Sequence, residues 1–552
     1  MDLRLPVRRD TLRKDAIAGL ALGVESVPDG LAAGLLAGVN PLSGLYAYLF
    51  GTLGGSLFTG SAFMAVQATG AMAIIIADVP AVHSGNDQAQ ALFTLSMLTG
   101  VVMLAAGFLR LGSMLRFVSN AVMAGFISAV GVNIVLGQLA NLTGYKAAGG
   151  NRVIRAVNTV IHPGQLHWQS LAVGLVTIAL ILALERTRLG PLGLVLAVII
   201  TSAVTVALRW DGVATVNDIS TIPRSLPVPA APIIRLVPSL LVPALSLAFV
   251  GLVQGAGVSA SFPNPDGRYP DASRDFIGQG AANLIVGAFR GMPVGGSMSA
   301  SSLNKTAGAR SRLALVIASA VMAVVILAFA GLVGYIAMPA LAGLLILVGC
   351  RTVKPADLAS VWRTGIVQRA VLGTTFALTM VIPLQYAVLA GVGVSVILHV
   401  IRQSNQVTIK RWRLDPAGDL IETNPPASLP AREVVALQPY GSLFFAAAPV
   451  LNACLPAVTE DSRSAVVILR LRGRTELGTT IMDVLARYAR SLTATGSKLV
   501  IVSANQRIQE QLRVTGVTGL IGPGNIYTGD ERIGATLKRA YADAEKWIEK
   551  TS

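Results

Sequence analysis

The sequence predicts an all-α polytopic membrane domain of fourteen segments, arranged as seven plus seven in an inverted repeat, followed by a cytoplasmic α/β domain. Three observations carry this. Of the 552 residues, 53 % are hydrophobic and 13 % charged, about half the charge of an ordinary soluble chain. Mean hydropathy is +0.65, and a soluble fold has too little interior to hide that much apolar surface. Two of the apolar stretches are too short and too rich in Gly for full spans, and they occupy matched places in the two halves. After residue 402 the composition changes, and strand patterns begin to alternate with helix patterns.

These observations exclude disorder and collagen. Cys350 and Cys454 are too few for a disulfide framework. The balance of 44 Lys and Arg against 28 Asp and Glu, +16 overall, reflects basic cytoplasmic loops rather than a nucleic-acid partner.

Residues 1–14 read as a basic, retained cytoplasmic helix. The transport domain spans 15–402, with segments near 15–38, 41–59, 63–77, 90–110, 117–140, 168–185, 190–208, 237–259, 276–289, 296–307, 312–337, 340–350, 366–382 and 384–402. Arg110, Arg186, Lys305, Arg351, Lys354 and Lys410 fall in alternate loops or past the last span, which places both termini in the cytoplasm. Two loops assigned outside break the bias: one holds Lys146, Arg152 and Arg155, the other Arg209, Arg224 and Arg235.

Residues 403–433, polar and rich in Pro, read as a linker, and 434–552 as a soluble domain. Within it, 434–448 reads as strand, turn and second strand, 464–473 and 498–505 as strands, and 479–496 and 533–550 as helices.

The chemistry lies in the two short stretches, "MAVQATGAMAIIIADV" (64–79) and "GMPVGGSMSASSLNKTAGA" (291–309). Each is extended or Gly-rich and then becomes compatible with helix. Non-helical backbone at membrane depth is tolerated only where protein or a watery cavity satisfies it. Each half-helix starts there with free N–H groups and a positive dipole end. Two such ends facing each other make an anion site that needs no cationic side chain. The plain alternative is a pair of Gly-rich turns in a helical bundle; the matched positions favour the site.

The residues at 15–47 ("DAIAGLALGVESVPDGLAAGLLAGVNPLSGLYA") and at 291–311 are similar to signatures of the first and tenth spans of the sulfate permease (SulP) family of anion transporters. These are relatives of animal exchangers such as pendrin and prestin. The region 434–550 resembles the family's STAS domain. The resemblance implies the uracil-permease fold, with a core (spans 1–4 and 8–11) moving against a gate (spans 5–7 and 12–14). It places the substrate between spans 3 and 10, at Gln67, Ala68, Thr69 and Gly70 on one side and Ser299, Ala300 and Ser301 on the other.

The departures from the family are informative. An Arg common in the tenth span is Ala300 here, and an acidic residue usual in the eighth, associated with proton or sodium coupling, is Gln254. The first span has Asp29 where a Gln is usual, with Glu25 one helical turn earlier. An ionisable residue in a span is a functional hypothesis, so Asp29 and Glu25 are candidates for coupling; the alternative is a structural role at a break around Pro28. Gln254 reads as lining the site or as a helix–helix hydrogen bond. Thr479 reads as a helix cap or as a regulatory phosphosite.

The four His residues form no metal-ligand pattern, and no phosphate loop or cofactor motif occurs. The reading is therefore a secondary transporter, not an enzyme, that moves sulfate, bicarbonate or a small carboxylate across a bacterial inner membrane. A proton or sodium co-ion, membrane lipid and a second copy are its expected partners. An uncoupled channel-like or sensory protein is the rival, and a nucleobase carrier on the same fold a third reading.

Overall fold

The computed structural model describes residues 9–84, 87–112, 120–145, 147–149, 151–187, 190, 192–219, 222–404, 406–414, 419–530, 532 and 534–551. The chain forms two compact units, Met1–Ser395 and Val396–Ser552. The first eight residues of the basic lead lie outside the described residues; from Arg9 onward the lead is part of a helix.

In the first unit that helix, α1 (Arg9–Leu36), runs unbroken through Pro28. A break at this proline is therefore not what Asp29 and Glu25 serve. Helix α2 (Pro41–Phe58) starts where the Asn40 side chain accepts from the Leu42 N–H and Pro41 presets the first turn. The strand β1 (Ala65–Gln67), the short helices α3 (Gly70–Ala77) and α4 (Pro80–His83), and then α5 (Gln88–Phe108) complete the first group. Next come α6 (Asn120–Thr143), α7 (Arg152–Ile161), α8 (Trp168–Leu184) and α9 (Leu192–Ala207). The second half repeats the plan with α10 (Val237–Ser261), α11 (Ala272–Ala288), β2 (Gly295–Ser297), α12 (Met298–Thr306) and α13 (Leu313–Val333). It closes with α14 (Met338–Thr352), α15 (Pro355–Thr364), α16 (Ile366–Val381) and α17 (Leu384–Ser404), which carries the chain into the second unit.

Among the described residues, six helical stretches are long and apolar enough to cross a membrane: Thr11–Leu36, Gln88–Phe108, Asn120–Thr143, Ile234–Ser261, Leu313–Val333 and Met338–Thr364. Shorter apolar helices at Trp168–Leu184, Leu192–Ala207 and Ile366–Val381 lie between them. The helices pack as two groups, with α1, α2, α5, α10, α11 and α13 on one another and α6, α8, α14 and α16 on one another. Small residues let the backbones close up. A Cβ built on Gly100 of α5 would stand 2.7 Å from the Gly280 carbonyl oxygen of α11.

The second unit is a six-stranded sheet in the order β4-β3-β5-β6-β7-β8. Strands β5 (Val434–Tyr440), β6 (Val466–Arg470), β7 (Lys498–Ala504) and β8 (Ile526–Thr528) are parallel. Alternate residues face opposite ways. Val435, Val467 and Ile501 meet α19 (Thr479–Ala494), α20 (Gln506–Val514) and α21 (Val517–Ile521) on one side. Val434, Val466 and Val500 meet α22 (Ala535–Thr551) on the other.

Two expectations are corrected here. The segment read as a linker, 403–433, supplies β3 (Thr408–Leu414) and β4 (Leu420–Thr423), which pair antiparallel and extend the sheet past β5. The Lys and Arg residues of β3 disguised its alternation, yet Lys410 and Arg411 find partners in Asn424 and Glu433. The Tyr440 and Trp412 side chains donate to Glu422 of β4 and hold its carboxyl below the usual carboxylate range. The stretch expected as a second strand after β5 instead turns into helix α18 (Ala448–Cys454), which packs Leu451 into the core.

Candidate functional site

Strands β1 and β2 pair antiparallel, with Ala65 opposite Ser297, Val66 opposite Gly296 and Gln67 opposite Gly295. Each strand runs directly into a short helix. Thr69 caps α3, its hydroxyl accepting from the Met72 N–H at 3.4 Å, and Ser297 caps α12 by accepting from the Ala300 N–H at 3.4 Å. Because the strands are antiparallel, the helices leave in opposite directions and both N-termini face back onto the ribbon. Their first N–H groups precede any intrahelical hydrogen bond, and the dipoles add partial positive charge there. Such a pair of ends can hold an anion without a cationic side chain.

Buried side chains satisfy peptide groups of the ribbon and of the segments that flank it, as irregular backbone inside an apolar helix bundle requires. Ser301 Oγ accepts from the Ala65 N–H at 3.0 Å and donates to the Ser297 carbonyl at 2.5 Å. Asn283 accepts from the Val294 N–H at 2.9 Å and donates to the Val294 carbonyl at 2.7 Å. Gln279 accepts from the Gly296 N–H at 2.9 Å, and the Tyr48 hydroxyl donates to the Ala68 carbonyl at 3.0 Å. Asp275 accepts from the Gly60 and Ser61 N–H groups at 2.6 and 3.1 Å, and Asp15 does the same for Arg310 and Ser311 at 2.6 and 3.0 Å. Of these supports sequence reasoning named only Ser301, and that as a substrate contact. Their signal was available in each case as a polar residue inside an apolar span.

Glycines bring α10 against the ribbon. A Cβ on Gly296 would stand 2.5 Å from the Cα of Gly255, and one on Gly295 2.7 Å from the Cα of Gly251. This backbone contact carries Gln254 to the start of α3, where its Oε1 accepts from the Thr69 hydroxyl at 2.8 Å.

The residues expected at the site therefore divide. Thr69, Gly70 and Gln254 come together at the mouth of α3. A Cβ on Gly70 would stand 2.7 Å from Ile134 of α6, so this mouth abuts the second helix group. Ser299 is exposed at the start of α12, its hydroxyl 3.2 Å from that of Ser297. Gln67 turns inward and donates to Ser26 at 2.9 Å and Thr52 at 3.2 Å. Ala68 and Ala300 are buried and Ser301 is committed to the ribbon. Glu25 and Asp29 are half-buried on α1, and Glu25 Oε2 is enclosed with no hydrogen-bond partner among the described residues. Thr479 is not the cap of its helix: Gly478 holds that position, and Thr479 is the exposed first helical residue.

Half-helices meeting on a strand pair inside a helical membrane unit, in a chain that also carries a separate sheet domain, define a membrane anion carrier. The sulfate permease family model matches residues 12–375 and the STAS domain model residues 429–537, and the chain belongs to that family. It is a multi-pass membrane anion transporter with a STAS domain, not an enzyme. YvdB of Bacillus subtilis is 25 % identical over 526 residues, covering 94 % of this chain and 97 % of its own. The bicarbonate transporter BicA of Picosynechococcus is 26 % identical over 422 residues, 74 % of each chain. The structure of murine solute carrier 26 family member A9 in its inward-facing state superposes with a TM-score of 0.84 at 19 % identity, covering 97 % of this chain and 92 % of that one. The fold is therefore shared with that solute carrier.

Proposed function

We propose that the protein is a secondary transporter of the bacterial inner membrane, with both termini cytoplasmic, working by alternating access on sulfate, bicarbonate or a small carboxylate. The observation that carries this is the ribbon, with the capped N-termini of α3 and α12 turned onto it and Gln254 at one mouth. Thr69, Gly70 and Ser299 hold the anion through hydroxyls and first-turn N–H groups, while Gln67 and Ser301 keep the ribbon in shape. The group holding the ribbon (α1, α2, α5, α10, α11, α13) moves as the core past a gate of α6, α8, α14 and α16. A homodimer is the expected assembly.

A second reading, an uncoupled anion conductor, is favoured by Gln254 and Ala300, neutral residues at the positions where the family resemblance implies a carboxylate and an Arg. The test is a proteoliposome uptake panel of sulfate, bicarbonate, chloride and dicarboxylates, with and without proton and sodium gradients. Saturable uptake driven by a gradient or by exchange supports the transporter. Steady current without saturation overturns it in favour of the conductor.

A further inference from the structure

The loop at 141–168 contains Lys146, Arg152 and Arg155 but no Asp or Glu, on the side that the charge pattern assigns to the outside. Its described part folds into α7, whose start is fixed by Asn151 accepting from the Ile154 N–H at 2.8 Å. One face of α7 closes over α6. Arg152, Arg155 and Ala156, with Leu136, Leu139 and Ala140 of α6, line a cavity of about 220 Å³. The opposite face presents Ile154, Val157 and Ile161, which are 53, 56 and 64 % exposed. Three branched apolar side chains at such spacing on a short helix fit the boundary between headgroups and acyl chains, not water.

The two arginines differ in what they have left to offer. Arg152 is held by Asp78 at 2.8 Å and by the Ile74 carbonyl at 3.3 Å, at the far end of α3. The Arg155 guanidinium has neither ion pair nor hydrogen bond among the described residues, and it is exposed at the rim of the cavity. A planar cation at the interface, above an apolar recess and with no ion pair of its own among the described residues, complements a phosphodiester carrying a hydrocarbon tail. A free inorganic anion would use the charge but not the walls.

We propose that the α6–α7 cavity binds an anionic phospholipid. Its phosphate lies on Arg155, and its glycerol and upper acyl carbons lie against Leu136, Leu139 and Ala140. This accounts for one of the two outside loops that break the charge bias, and it does not depend on which anion is transported.

The test uses the full-length protein in nanodiscs of phosphatidylglycerol and phosphatidylcholine, with native mass spectrometry counting the lipid retained on release. Wild type should retain phosphatidylglycerol in preference to phosphatidylcholine. Arg155→Gln should lower that retention about tenfold, the scale of one lost charged hydrogen bond, and Arg155→Lys should keep part of it. Leu139→Trp, which fills the recess and leaves the charge, should lower it similarly. Elution as an intact particle confirms that each variant is folded. Equal retention of both lipids by wild type, or unchanged retention in Arg155→Gln, overturns the proposal. So does displacement of the lipid by inorganic phosphate but not by chloride at matched ionic strength, which would make the pocket a site for free anions.

Discussion

The hydroxyl of Thr69 donates a 2.8 Å hydrogen bond to Oε1 of Gln254. The same hydroxyl caps α3 through the Met72 N–H, so one side chain fixes the half-helix and ties it to α10. With the amide oxygen engaged, the N–H groups of Gln254 are the part left to offer an anion. Gln254→Glu removes those donors and adds a negative charge. Anion affinity should fall at least tenfold at neutral pH and recover as the pH drops and the introduced carboxyl becomes neutral. Binding isotherms at two pH values check this; equal affinity at both, matching wild type, would separate Gln254 from the anion.

Ser299 and Ser301 are two residues apart on α12 but should respond differently to loss of the hydroxyl. Ser301 is fully buried with both of its hydrogen bonds inside the ribbon, so Ser301→Ala should lower the melting temperature through an unsatisfied Ala65 N–H, a cost of about 1–3 kcal/mol. Ser299 is exposed, so Ser299→Ala should leave melting unchanged and weaken anion binding by roughly 10- to 100-fold. Thermal melts and binding titrations on the two variants together decide the assignment.

The place to cut the chain is set by β3. A truncation near residue 410 would sever this strand (Thr408–Leu414) and leave a raw edge. A chain ending at Ser404, the last residue of α17, omits the whole sheet. It should keep wild-type affinity for the anion, with lower expression or altered turnover. A well-folded truncation that binds nothing would make the C-terminal domain part of the site.

Asp29 and Glu25 lie one turn apart on α1. A carboxylate moving between wet and dry surroundings can take up and release a proton. If Asp29 couples transport, uptake by wild type should rise with an inward proton gradient and Asp29→Asn should lose that response while still exchanging anions. An equal response in both excludes Asp29. Indifference of wild type to proton and sodium gradients identifies the conductor.

The half-helices were legible because Gly-rich polar stretches interrupt apolar ones, and that signal is local. Which side chains face the anion was not. In β1 neighbouring residues point to opposite faces, so the inward turn of Gln67 toward Ser26 and Thr52 depends on a register that only the partner strand sets. The supports Asp15 and Asp275 act across 295 and 215 residues of sequence, beyond any periodicity. Strand β3 escaped because its charges mask the alternation, and α7 because ten residues flanked by Gly and Asn read as a loop.

The pairing of β1 with β2 also has a consequence for how the protein is made. The Ala65 N–H finds its acceptor in Ser301, 236 residues later. Until the ribosome has delivered that distant segment, β1 is an unzipped peptide lodged in the bilayer, with donors that lipid cannot satisfy. The ribbon therefore cannot close before most of the membrane unit has been made. A chain stalled midway differs from a finished one by a polar backbone scar at membrane depth, which membrane proteostasis machinery could recognise as a mark of incomplete synthesis.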